Sequence, residues 1–346
     1  MKLEKRIEAL VKLSSFLTPE DETLAAVVGR TQSNNPWFTI ENQWRAIAEI
    51  RNNFLDKNTL ESWVKGYAIT AEKPEKTVAL ILAGNIPLVG FHDVLCVFLA
   101  GHRSLVKLSE KDPFLLIAIL AFLIKIDPNT ADYFDLVPPD GEERRALKGF
   151  DAVIATGSNN SARYFEAYFG KYPNIIRKNR NAVAILRGDE TIEDLRLLGE
   201  DIFTYFGLGC RNVSKIYVPK DYDFKPLLET HHAHFKHIIL HDKYKNNFDY
   251  NFTLLILNSV QYQSNGCLLM TENTQIASPV AMVYYEFYDD IEKLAEILRG
   301  SIDAIQCVVA KGEIEGLPTF YFGEAQKPRI TDYADGVDTL EFLTTY

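Results

Sequence analysis

No apolar run in this chain is long enough to cross a bilayer: the longest, Phe114 to Ile124, falls short of the ~20 residues a spanning helix needs and reads as a buried helix. No apolar signal core stands behind Met1-Lys2-Leu3-Glu4-Lys5-Arg6, so neither secretion nor membrane insertion is expected. Cysteine is scarce. Its four copies, without CxxC spacing, provide neither a disulfide framework nor a zinc site and fit a reducing cytoplasm. Positive charge is also in deficit, with a formal net charge of −10 and lysines and arginines dispersed rather than gathered into a stripe, which argues against a nucleic-acid partner. Finally, no GxGxxG follows any predicted strand, so the ordinary Rossmann fingerprint is absent.

What is present is an ordinary globular composition, 346 residues with 47% hydrophobic and 24% charged, enough to bury a large core and to divide into two domains. Residues 1–70 read as helices that brace the rest, with Leu3, Ile7, Leu10, Val11 and Phe16 on one face, Trp44, Ile47 and Ile50 on another, and a turn at Ser33-Asn34-Asn35-Pro36. From Thr77 to Leu82 the chain is apolar without alternation, as a parallel strand covered on both faces would be. A helix from Phe91 to Ala100 then stops at Gly101, a strand covers Ser104 to Lys107, and Asp112-Pro113 starts another helix. Strands at Tyr133 to Val137 and Asp151 to Ala155 follow, and after Thr156-Gly157-Ser158-Asn159 a helix covers 160–169. Such alternation predicts a doubly wound parallel sheet with ligands beyond the carboxyl ends of its strands, where Asn85, Lys107, Glu110, Gly157 and Ser158 lie.

The chemistry is expected at Phe206-Gly207-Leu208-Gly209-Cys210-Arg211-Asn212. Upstream, Thr191 and Asp194 form a capping-box pattern, and Ile192, Leu195, Leu198, Ile202 and Phe206 predict a helix running into Gly207. Downstream, Lys215-Ile216-Tyr217-Val218 reads as a strand stopped by Pro219. Gly207 and Gly209 would let the backbone turn sharply and keep bulk away from the sulfur, although a free cysteine in such a place is equally read as a small buried hydrophobe. Cys96 and Cys307 lie in apolar runs and read as core, and Cys267, after Asn265-Gly266, is ambiguous. His231, His232, His234, His237 and His241 form a cluster in which, on a continuous helix, His234, His237 and His241 share a face. Their spacing matches no metal motif, and a solvated or substrate-lining surface is the expectation.

Four blocks in one order, Gly84-Asn85-Ile86-Pro87-Leu88, Val106-Lys107-Leu108-Ser109-Glu110, Thr156-Gly157-Ser158 and Gly209-Cys210, resemble the aldehyde dehydrogenase superfamily over roughly residues 75–310. The resemblance implies two doubly wound parallel α/β domains with the active site between them. It also implies a nucleophile at Cys210, an oxyanion donor at Asn85, adenosine-ribose contacts at Lys107 and Glu110, and the family's threonine-glycine-serine turn at Gly157 and Ser158. Gln275, in Gln275-Ile276-Ala277-Ser278-Pro279-Val280, stands where the family has a glutamate holding the nicotinamide ribose. One departure is informative. Hydrolytic members carry a water-activating glutamate between the glycine-serine turn and the cysteine, whereas residues 171–188 here contain no carboxylate. An acyl-enzyme lacking that base is formed from a thioester and resolved by hydride, so the chain is most similar to the fatty acyl-CoA reductases of the bacterial luminescence type.

The expected reaction is NADPH-dependent reduction of a long-chain fatty acyl-CoA to the aldehyde through an acyl-cysteine. NADH is the alternative cofactor, because Glu110 would accept from a ribose hydroxyl and repel a 2′-phosphate. Arg211 would either lower the thiol pKa or serve as a solvated or paired surface group. Oxidation of aldehydes to acids and a non-catalytic acyl-binding role remain as alternatives. The expected division is a helical brace over 1–70, a cofactor domain over 71–180, a catalytic domain over 181–319 and a strand-rich tail over 320–346. Apolar runs at Thr253 to Leu257 and Val280 to Phe287 are expected in the second sheet, and the tail, with Tyr321, Phe322, Ile330, Tyr333 and Val337, would pair with a partner subunit in a dimer or larger assembly.

Overall fold

The computed structural model describes residues 1–70, 76–137 and 147–346. They form two compact units, one of residues 1–179 with 328–346 and one of residues 180–327; the boundary expected at residue 71 lies outside the described residues. The first unit opens with α1 (Leu3–Leu13), α2 (Glu22–Asn34), α3 (Ile40–Asn53) and α4 (Lys57–Val64). Three of these begin on a capping side chain, with Asp21, Thr39 and Asp56 accepting the backbone N–H of Leu24, Asn42 and Thr59.

The sheet of this unit is built around β1 (Thr77–Ile81), whose Val78, Ala79 and Leu80 are fully buried, as the unalternating pattern predicts. After it come α5 (Phe91–Ala100), β2 (Arg103–Lys107), α6 (Leu115–Ile126), β3 (Phe134–Val137), β4 (Ala152–Thr156), α7 (Asn159–Phe169) and β5 (Asn174–Arg177). Gly101 ends α5 in the left-handed conformation, as its position suggests. All neighbouring strands are parallel, in the order β3-β2-β1-β4-β5. The chain therefore winds outward from β1 through β2 to β3 and resumes at β4 on the opposite side of β1, which makes the carboxyl ends of β1 and β4 the switch point of the sheet. The long apolar run is α6, amphipathic rather than wholly buried, with Ile117 exposed. No helix among the described residues is long and apolar enough to cross a membrane.

The second unit contains β6 (Asn181–Ile185), α8 (Ile192–Phe203), β7 (Val213–Pro219), α9 (Lys225–Phe235), α10 (Asp242–Leu257), β8 (Gln263–Ser264), β9 (Leu269–Glu272), β10 (Met282–Tyr288), α11 (Ile291–Gly300), β11 (Ile305–Ala310) and β12 (Thr319–Phe320). Its sheet runs β12-β11-β6-β7-β10-β9-β8 and is parallel except for the β8–β9 edge pair. The run Thr253 to Leu257, expected in this sheet, is instead the last turn and a half of α10. Its only buried member is Leu255, which packs with Leu269, Met282 and Tyr284, a one-sided burial that a helix provides.

The tail is also not strand-rich. It ends in α12 (Thr339–Thr345), which starts where Asp338 accepts the Glu341 N–H and which buries Leu340 and Leu343 within the first unit. Polar contacts hold it there. Arg177, at the end of β5, pairs with the buried Asp93 of α5 at 2.5 Å and donates to Thr339 Oγ1 at 3.0 Å. Trp63 Nε1 donates to the Tyr333 hydroxyl at 2.7 Å, and Tyr67 donates to Asp338 at 2.6 Å. Tyr333, one of the aromatic residues that suggested strand propensity, is thus spent on packing and hydrogen bonding against Trp63 of α4 and His92 of α5.

Candidate active site

In the first unit, the residues expected at strand ends converge. Ile81, the last residue of β1, is in register with Lys107 of β2 on one side and Ala155 of β4 on the other. Asn85 lies half-buried in the loop after β1, Gly157 follows β4, and Ser158 caps α7 by accepting the Ser161 N–H. Glu110 lies on an exposed turn three positions past Lys107. The Asn85 loop is tightly set. A Cβ on Gly84 would lie 2.3 Å from Ser109 Oγ, so the loops following β1 and β2 touch only because this residue lacks one. Leu88 is held at φ 56°, a left-handed value that disfavours a branched side chain, and its N–H donates to Asp112 Oδ2 at 2.8 Å. Asp112 therefore braces this loop as well as standing at the start of the helix its Asp-Pro pattern suggests, and burial pushes its carboxyl up to about 6 against the backbone hydrogen bonds of Leu88 and Leu115.

In the second unit, Cys210 sits in the turn between α8 and β7, at the amino end of its strand rather than at a carboxyl end. Of the four cysteines, Cys210 is half-buried and Cys96, Cys267 and Cys307 are buried. Burial raises the Cys96 thiol pKa and pushes that of Cys267 up to about 11, which keeps both protonated near neutral pH.

The helix before the cysteine stops earlier than the periodicity predicts. The capping box of Thr191 and Asp194 is present, but α8 ends at Phe203, and Tyr205, Phe206 and Gly207 adopt φ of 53°, 60° and 75°. Left-handed backbone costs a non-glycine residue about 1–2 kcal/mol, so two aromatic residues in succession need compensation. Phe206 gains it by packing on His241, with ring centroids 4.3 Å apart, and on Tyr244. Asn212 supplies the rest. Its side-chain amide, almost wholly buried, donates to the carbonyls of Asp201, Ile202 and Thr204, and its Oδ1 accepts the Gly209 N–H at 2.8 Å. One side chain thereby satisfies the open carbonyls at the end of α8 and fixes the turn that carries Cys210. A second brace comes from Asp201, whose carboxylate accepts the N–H groups of Gly323 and Ala325. Arg211 lies with its guanidinium 5.1 Å from the centroid of the Phe320 ring.

The histidine cluster is dispersed by a helix break after Phe235. His231 is fully buried, donates from Nε2 to the Leu195 carbonyl, and is lowered to about 4 by desolvation, so it is neutral. His241 caps α10 by accepting the Tyr244 N–H, and His232 bonds the Asn265 carbonyl. Among the described residues no group of three or more His, Cys, Asp or Glu is placed to hold a metal ion. Gln275 lies on an exposed stretch after β9. Asn212, Asp201 and the bend at Tyr205-Phe206 are not apparent from the sequence motifs, and among them only the proximity of Asn212 to the cysteine is a signal.

Comparison with known proteins accords with this architecture. The family model described as Acyl-CoA reductase (LuxC) matches residues 45–232, just over half of the chain. The long-chain acyl-protein thioester reductase of Aliivibrio fischeri is 24% identical over 170 residues, which are 46% of this chain and 36% of that protein. The long-chain acyl-protein thioester reductase 2 of Photobacterium leiognathi is 21% identical over 178 residues, 49% of this chain and 37% of its own. The chain thus spans little more than a third of the length of the curated relatives it matches. Among solved structures, aldehyde dehydrogenase 21 from Physcomitrella patens superposes with a TM-score of 0.71 at 15% identity, covering 97% of this chain and 82% of that one. A putative aldehyde dehydrogenase from Burkholderia cenocepacia gives 0.69 at 14% identity over 91% of this chain and 76% of its own. With the fold of the aldehyde dehydrogenases and a family match that spans the turn carrying Cys210, the chain belongs to the acyl-CoA reductase (LuxC) family.

Proposed function

We propose that this protein reduces a long-chain fatty acyl thioester, with acyl-CoA as the expected donor, to the aldehyde through an acyl-Cys210 intermediate. The observation that carries the reading is a braced, half-buried cysteine in a chain with no carboxylate in residues 171–188, the segment where hydrolytic relatives keep their base. Within that segment Arg177 is turned to Asp93 and Thr339, where it anchors the C-terminal helix.

Cys210 as thiolate attacks the thioester carbonyl, forming a new C–S bond and expelling the donor thiolate, which takes up a proton; exchange between thioesters is nearly balanced. The backbone N–H of Cys210 and the Asn85 amide are the donors assigned to the developing oxyanion, each typically worth ~3–4 kcal/mol. The donor set in the first unit suits a dinucleotide: the Lys107 ammonium for a ribose hydroxyl or 2′-phosphate, the Glu110 carboxylate for ribose hydroxyls, and Gly157 with the Ser158 hydroxyl at the start of α7 for phosphate. Gln275 is assigned to the nicotinamide ribose. Bound there, a reduced nicotinamide supplies the hydride that, with one proton, converts the acyl group to aldehyde and frees the Cys210 thiol. NADPH is expected from the family resemblance, and Glu110 keeps NADH as the alternative.

The test is intact mass spectrometry after mixing the protein with acyl-CoA in the absence of nicotinamide. The acylated mass should appear, map to Cys210, and outlast a catalytic turnover, since general-base assistance commonly contributes ~10²- to 10⁴-fold and residues 171–188 contribute no carboxylate to activate water. Adding NADPH should release aldehyde, and adding free coenzyme A should reverse the acylation. Rapid decay to fatty acid in buffer alone would instead establish the acid-forming reading.

A further inference from the structure

Two polar side chains stand in a buried strand that could have been wholly apolar. β7 begins Val213-Ser214-Lys215, immediately after the cysteine turn, and both Ser214 and Lys215 are buried, the lysine completely. Burying an ammonium is unfavourable unless it is paired and hydrogen-bonded, so Lys215 has to be held for a reason local to this strand. Strict alternation would also send these neighbours to opposite faces. The register against β6 removes that difficulty. Ala182 pairs with Val213 and Val183 with Lys215, so Ser214 is the extra residue of a β-bulge, an irregularity that re-aims side chains.

Both residues reach the same segment. Lys215 Nζ donates to the Thr274 carbonyl at 3.0 Å, is ion-paired with Glu286 at 2.5 Å, and lies 4.8 Å from the centroid of the Tyr217 ring. Ser214 Oγ donates to the Ile276 carbonyl at 2.7 Å. These carbonyls flank Gln275, whose own N–H donates to Asn273 Oδ1, so its backbone is held on both sides while the residue itself stays exposed.

We infer that Ser214 and Lys215 are positioning residues, a clamp that fixes the backbone presenting Gln275 to the dinucleotide. The inference rests on the role proposed above for Gln275. A neutral amide gains less from each ribose hydroxyl than a carboxylate does, and fixing the backbone beforehand removes part of the ordering cost of that contact. The clamp also arises from the strand that begins three residues after Cys210, so one short stretch sets both the nucleophile and the cofactor contact.

The experiment is a titration of NADPH, and separately NADH, into wild type, Ser214→Ala, Gln275→Ala and the double variant, with Cys210 acylation by acyl-CoA measured without dinucleotide. Each single change should weaken dinucleotide binding about three- to tenfold, and the double variant should be no weaker than the weaker single, because both act through one contact. Lys215→Met combined with Glu286→Gln, which leaves no carboxylate uncompensated, should repeat the Ser214→Ala pattern, and Ser214→Thr should restore binding. Acylation should stay at the wild-type rate in Ser214→Ala and in the Lys215→Met, Glu286→Gln pair. Additive losses, a parallel loss of acylation, or wild-type affinity in Ser214→Ala beside weakened Gln275→Ala would overturn the clamp while leaving the Gln275 role intact. Unchanged affinity in Gln275→Ala would overturn both.

Discussion

Asn212→Ala should disable the cysteine turn without touching the cysteine. The substitution removes the acceptor of the Gly209 N–H and the donors that Asn212 supplies to the carbonyls of Asp201, Ile202 and Thr204. Gly209 is buried, so its N–H loses a partner that water cannot readily replace. An orphaned buried donor costs ~1–3 kcal/mol and each lost neutral hydrogen bond ~1 kcal/mol, and water can reach some of the carbonyls, so about 3 kcal/mol is expected. For a unit of this size that corresponds to a fall in Tm of roughly 6–12 °C. The strained Tyr205-Phe206 pair should relax, and acylation of Cys210 by acyl-CoA, followed by intact mass, should drop more than global stability alone explains. Asn212→Asp makes the sharper comparison. It keeps an acceptor for Gly209 but faces three carbonyls with a carboxylate, so at neutral pH it should be at least as damaged as Asn212→Ala. Its carboxyl would have a folded pKa raised above the unfolded value, so its stability should recover as pH falls and the protonated form donates. An Asn212→Asp variant as stable and as readily acylated as wild type at neutral pH would refute the assignment of this side chain as the brace.

Cys210→Ser should abolish reductase turnover while NADPH binding, measured by fluorescence titration, persists; substantial residual turnover in Cys210→Ala would remove Cys210 as nucleophile. Asn85→Ala should slow acylation of Cys210 by on the order of a hundredfold with little change in Tm, because it deletes one oxyanion donor from a loop already braced by Asp112. Acylation at the wild-type rate would make Asn85 structural. Asp201 is raised to about 7, first by burial and slightly by Glu200, against the hydrogen bonds from Gly323 and Ala325 and the charge of Lys327. A folded pKa above the unfolded one contributes stability that is fully present below about pH 4 and is lost as pH rises through 7, a total on the order of 4 kcal/mol. Urea midpoints at pH 5.5 and 8.5 should therefore differ more for wild type than for Asp201→Asn, and equal pH dependence would show that the carboxyl titrates normally.

The parts of the fold that follow from local pattern were legible. β1 is readable because a five-residue apolar strand flanked by Gly84 and Pro87 has few alternatives, and α5 because Gly101 marks its end. Where apolar composition was the only guide, it misled. Thr253 to Leu257 is rich in β-branched and apolar residues, yet it continues a helix that begins at Asp242, and the deciding information is which single face meets Leu269 and Met282. The tail carries tyrosine, phenylalanine and isoleucine in a strand-like mixture, but Asp338 nucleates a helix and Arg177, more than 150 positions away, supplies Thr339 with a partner. Long-range contacts of this kind leave no local periodicity.

The candidate site divides in the same way, and the division has a physical origin. Residues proposed to meet a ligand, Asn85, Lys107, Gly157, Ser158 and Cys210, sit at strand ends or in turns, and those places carry the glycine, proline and capping signals that a sequence displays. Residues that hold those groups in place are buried inside elements, where nothing but the apolar pattern is visible and a polar letter reads as noise. Asn212, Ser214 and Lys215 follow the cysteine within five positions, and each would pass for an ordinary edge-of-strand polar residue. They share one property that separates them from surface residues: a polar or charged group in the interior must find a partner there. Besides the Gly209 N–H and the Glu286 carboxylate, the partners are backbone carbonyls of two other segments, the end of α8 and the stretch around Gln275. A polar cluster immediately downstream of a candidate nucleophile, entering a strand that is otherwise apolar, is therefore the trace that such a framework leaves in a sequence, and its meaning becomes specific only when the carbonyls it serves are known.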